Sequence, residues 1–150
     1  MTLAVAPSLD VLTGIYDAIM NDTNITDLLG EWEEGPSVHT RRPVPDDAAM
    51  PQVLIGPIVT RTSIADGLNY YHPTVEIDVI TYGFQPDDYR KVEEVAEMIH
   101  AKFHRQRGSF AIENYELTDI QCSGPAPAPT DDESEVARVV TLTIRASAAA

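Results

Sequence analysis

From Pro73 onward the chain alternates. Val75, Ile77 and Val79 share one parity and Glu76 and Asp78 the other, the two-residue period of a strand with one buried face and one wet face. Gly83 and Pro86 end that run. Asp87 and Asp88 then place negative charge where a helix N-terminus is electropositive, and Pro86 suits a cap or first-turn position. Val92, Val95, Ala96, Ile99 and Phe103 follow at spacings of three and four, which predicts a long amphipathic helix whose stripe packs on the Val75 face. Lys102, Arg105 and Arg107 gather near its C-terminus, and Gly108 is the expected stop.

The remaining elements read from the same two periods. Behind Ser8 as N-cap, Leu9, Leu12, Ile15, Tyr16 and Ile19 form a helical stripe running to about Met20. Thr23 or Asn24 caps a short turn carrying Ile25, Leu28 and Leu29, with Gly30 as its left-handed closing residue. Residues 31–50 contain three prolines and many charges, so mostly irregular chain with a short strand near Val38 is expected. Pro51 to Pro57 is an apolar strand whose prolines cannot continue a ladder. Residues 58–72 are expected to form a long extended hairpin or flexible arm between two core strands.

Tyr115 to Ser123 supplies a further strand. Its apolar residues change parity, from Tyr115 and Leu117 to Ile120 and Cys122, which signals a bulge or an edge position. Residues 124–135, GPAPAPTDDESE, are expected to be a flexible loop. Val140, Leu142 and Ile144 alternate through a last strand from Val139 to Ala146, and residues 147–150 fray behind it. The expected fold class is α+β: one domain spanning residues 1–150, with a mainly antiparallel four-stranded sheet and helices on one face.

Charge narrows the function. The chain has 24 acidic and 10 basic residues, net −14, with no base before Arg41, and such an excess repels phosphate, against a domain that reads nucleic acid. The lone Cys122 excludes an intrachain disulfide, and no stretch has the apolar length of a membrane span. The acidic N-terminus lacks the basic region of a secretory signal, so synthesis inside the cell is expected.

Candidate chemistry is sparse. Glu97, His100 and His104 lie on one helix flank and could face a metal, but the HExxH order is missing and a solvated flank is the simpler reading. Glu76 and Asp78 share a strand face, where alternation demands polar residues in any case. The DDESE run has neither the glycine nor the ligand spacing of a calcium loop. Walker, GxGxxG and GxSxG patterns are missing, and no cofactor is expected. Trp32, Tyr70 and Tyr71 fall in loops, where large aromatics either clamp a core or anchor an interface.

Taken in order, the N-terminal helix, the Asp27-Leu28-Leu29-Gly30 helix end, the PQVLIGP strand, the strand from Glu76 to Gly83, the amphipathic helix and the closing strand form one pattern. It resembles the tail terminator, or tail-completion, proteins of long-tailed phages, tailed prophages and phage-like gene transfer agents. The resemblance covers nearly the whole chain and rests on spacing and length. It implies a structural subunit without enzymatic activity, forming a hexameric ring at the neck of a virion tail. Its implied partners are other copies, the tail tube protein and the head-side connector, with DNA passing through the lumen unbound. The subunit contact expected from charge segregation sets Arg41, Arg42 and Arg61, with Tyr70 and Tyr71, against Asp10 and Asp17 of a neighbouring copy. A head-tail connector or stopper is the competing assignment. A small cytosolic domain binding a metal or ligand through Glu97, His100 and His104 competes from another class.

Overall fold

The inward parity of one strand sets the frame. Val75, Ile77 and Val79 are buried while Glu76 and Asp78 stay half-exposed, as the alternation requires. This computed structural model describes residues 7–33, 35–41, 44, 48–61, 73–130 and 132–148, with only the backbone at 61 and 148. In chain order the elements are α1 (Ser8–Met20), α2 (Thr23–Thr26), β1 (Glu31–Trp32), β2 (Gly35–Pro36), β3 (Val38–His39), β4 (Gln52–Arg61), β5 (Thr74–Phe84), α3 (Tyr89–Phe103), β6 (Tyr115–Pro127) and β7 (Glu135–Ala148).

The main sheet has five strands in the order β3-β4-β5-β7-β6, and β1 with β2 forms a separate two-stranded ribbon. The expected four-stranded sheet is therefore corrected. The fifth strand, β3, spans two residues and runs parallel to β4, pairing Val38 with Val53 and His39 with Leu54, while the other ladders are antiparallel. The short strand expected near Val38 is present, but two residues show no period that would assign it to the sheet. α1 packs by Val11, Ile15 and Ile19, and α3 by Val95, Ala96, Ile99 and Phe103, into one cluster with Val53, Val75, Val79, Leu142 and Ile144.

Prolines end strands less sharply than expected. β4 passes through Gly56 and Pro57 because its register shifts between Ile55 and Ile58, and Gly56 takes φ +131°, open to glycine, so the proline sits in a bulge. β4 thus claims residues 58–61 of the expected arm; the rest of that arm, 62–72, lies outside the described residues. β6 likewise runs through Pro127 and β7 starts at Glu135, so the ladder takes both ends of the expected loop 124–135 and reaches Ala148 in the expected frayed tail. The change of parity in β6 has the cause read from it: the register shifts between Leu117 and Asp119, and β6 is an edge strand.

The caps also differ. Pro7 is the N-cap of α1, and Ser8 Oγ instead meets Thr60 Oγ1 on β4. The Asp22 carboxylate caps α2 by accepting the Asn24 N–H at 3.1 Å, and it also pairs with Lys102 on α3 at 3.2 Å. Gly30 is not left-handed; a Cβ there would meet the Ala49 carbonyl oxygen at 2.5 Å, so close backbone approach explains the glycine. α3 ends at Phe103, and Arg105, not Gly108, adopts the left-handed conformation, φ +59°.

Among the described residues one inward polar group is left over: Thr81 is buried, and its Oγ1 has no hydrogen-bond partner there. Thr81→Val keeps the shape and removes the unsatisfied hydroxyl, so denaturant unfolding should show a gain of about 1 kcal/mol. A loss would mean that the hydroxyl is satisfied in solution.

Candidate functional site

Among the described residues, polar side chains singled out in the sequence, Asp78 and His104, have structural partners. Asp78 Oδ1 accepts the Thr141 hydroxyl at 2.8 Å across the strands, which gives this carboxylate a structural partner on the open sheet face. At the C-terminus of α3 the His100 ring stacks on that of His104, the C-cap residue, centroids 4.9 Å apart. His104 Nδ1 accepts the Cys122 backbone N–H at 3.0 Å, which places its proton on Nε2 and turns the ring toward the sheet edge. Among the described residues, no group of three or more His, Cys, Asp and Glu could hold a metal ion.

The same hydrogen bond serves another purpose. Arg105 N–H donates to the Ile120 carbonyl at 2.8 Å, so the end of α3 covers part of the outer edge of β6. Unpaired strand edges invite non-native pairing, and this cover blocks it locally. Cys122 is buried there, and burial pushes its thiol up to about 12. Only a minute thiolate fraction exists at neutral pH, so native protein should resist alkylation by iodoacetamide and react fully once unfolded in urea. Rapid labelling of native protein would contradict that burial.

The ribbon of β1 and β2 is held on its aromatic. Trp32 meets His39 edge-on, centroids 4.9 Å apart and planes at 61°, and so acts as a clamp. His39 is buried, and its Nε2 lies 2.9 Å from Ser37 Oγ. Burial lowers the His39 pKa below its ordinary 6.5, so the unfolded chain binds the proton more readily than the folded one. Stability from this site is full above pH 6.5 and falls as pH drops toward the folded value, by no more than about 1.4 kcal/mol per pH unit. Denaturant midpoints at pH 7.5 and 5 should therefore differ less in His39→Gln than in the unaltered protein.

The expected interface residues are only partly visible. Asp10 and Asp17 are exposed on α1, and Arg41 is exposed beyond β3. Arg42, Tyr70 and Tyr71 lie outside the described residues, as does the side chain of Arg61. Another surface escaped the sequence reading. Where β6 begins, Arg107, Phe110, Tyr115, Glu116 and Leu117 line a groove of about 510 Å³, built by a segment with no helical or strand period of its own. The close run of Phe110, Ile112 and Tyr115 was the available signal. Among the described residues no helix is long and apolar enough to cross a membrane.

No protein-family model matches the sequence, and no curated protein matches it. The fold has a solved counterpart. It is similar to a chain in the virion of a native gene transfer agent particle, at 13% identity and a TM-score of 0.65, with 98% of each chain covered. At this identity, the likeness concerns the fold.

Proposed function

We propose that this chain is a structural virion protein, a tail terminator that closes as a hexameric ring on the head-proximal end of a tail tube and joins it to the head-side connector. The observation that carries the reading is the likeness to a chain of a gene transfer agent virion, which runs over 98% of both chains. In this reading the chain works by fitting against its neighbours, and one further feature supports the assignment. A net charge of −14 suits a ring through which DNA slides without being held. Other copies, the tail tube protein and the connector are its partners, and the virion neck is its location.

In this reading Arg41, Arg42 and Arg61, with Tyr70 and Tyr71, face Asp10 and Asp17 of the next copy. Charge reversal at Arg41 and Arg42 should then stop ring closure. The role is tested by a density marker fused to the protein in particles from cells that carry its gene. The marker belongs at the head–tail junction, and tails made without the protein should be overlong or unjoined. A marker spread along the tail, or lacking from particles, overturns the assignment.

A further inference from the structure

The hairpin of β6 and β7 carries complementary chemistry at its two ends. At the start of β6 lies the groove just described, with Ile112 and Tyr115 nearly buried in its floor and Phe110 and Leu117 half-exposed. Arg105 and Arg107 stand exposed on the preceding turn, and neither makes an ion pair among the described residues. Glu116 on the groove wall repels carboxylates and favours the arginine side for an acidic occupant.

At the other end, the turn from β6 to β7 presents exposed Pro127 and Pro129, followed by exposed Asp132 and Glu133. Hydrogen bonds hold the described residues of this turn. Thr130 Oγ1 donates to the Asp132 carbonyl at 3.1 Å, Asp132 Oδ1 accepts the Ser134 N–H at 2.9 Å, and the Gln85 N–H donates to the Ser134 carbonyl at 2.6 Å. The Ser134 backbone hydrogen bond also holds the Asp132 carboxyl below the usual carboxylate range, so it stays ionised.

Extended proline segments dock on aromatic-lined grooves at low entropic cost, and carboxylates pair well with guanidinium groups. The two ends are separated by the 13 residues of β6, about 40 Å at a strand's rise, so a turn cannot reach its own groove. We propose that the β6–β7 turn of one copy docks in the groove of the next, with Pro127 and Pro129 on Phe110 and Tyr115 and with Asp132 and Glu133 toward Arg105 and Arg107. The contact is head-to-tail and uses two different patches per subunit, as a closed ring of one chain requires. It rests on the ring reading above and deepens it by naming a second copy as the groove's occupant.

The test titrates a synthetic peptide of residues 124–135, GPAPAPTDDESE, into the isotope-labelled full chain. Saturable shifts are expected at the amides of residues 105–117. R105E/R107E should weaken the apparent affinity by about tenfold or more, added salt should weaken it as well, and a peptide with arginine in place of Asp132 and Glu133 should recover binding to that variant. Circular dichroism should show that variant folded, since both positions are exposed. No saturable shift at millimolar peptide, shifts elsewhere, or equal affinity in R105E/R107E overturns the proposal. Those results, with the protein still found at the particle neck, remove this contact and leave the ring; absence from the particle removes the ring reading itself.

Discussion

Phe103→Ala should lower the free energy of unfolding by about 3–5 kcal/mol, a large share of the roughly 5–15 kcal/mol that holds a domain folded. Phe103 is fully buried in the last turn of α3 and lies in the cluster that joins both helices to the sheet. Its ring meets Phe110 edge-on, centroids 6.0 Å apart and planes at 74°. Truncation therefore leaves a cavity beneath the turn that carries the arginines, and Phe110 loses its partner at the groove. A urea titration should show the midpoint falling with an unchanged slope. A loss under about 1 kcal/mol would mean that the end of α3 repacks freely, and the groove would then be no fixed feature.

Gly124→Ala should have the second largest effect, about 2–4 kcal/mol, because conformation and space both oppose it. Gly124 has φ +95°, and a Cβ there would stand 2.6 Å from the Val139 carbonyl oxygen and 3.0 Å from the Ala126 nitrogen. Both neighbours are backbone, so relief requires movement of the ladder and not of a side chain. The register shift between Ser123 and Ala126 lies at this point, so the strain would also re-aim the β6–β7 turn. Gly108→Ala is the control: nothing lies within 4 Å of a Cβ there, and its φ carries no strain, so thermal melts should barely change. Equal effects at the two glycines would refute the argument.

What the sequence made legible is what periodicity can carry. The β5 alternation and the α3 stripe appear as read, and the apolar parity change in β6 marks a real bulge at an edge. The misses share one cause, namely that tertiary partners decide what local chemistry leaves open. Pro57 reads as a stop, yet a glycine-permitted bulge lets β4 continue. Arg105 takes a conformation expected of Gly108 because its N–H is drawn to the Ile120 carbonyl across the sheet edge. His104 reads as a candidate ligand, but its free lone pair belongs to Cys122. The candidate groove was hardly legible for a related reason: its walls come from an irregular segment and a strand start, and only the close run of Phe110, Ile112 and Tyr115 hints at it.

α3 is fastened to the sheet near both of its termini. Glu93 takes the Arg138 guanidinium, whose cation also sits 5.9 Å from the centre of the Tyr89 ring, and His104 with Arg105 grips β6. A rod pinned at two points works as a strut. Traction on the β6–β7 turn would be delivered to the helical layer and borne by the whole body, instead of unzipping the outermost strand one rung at a time.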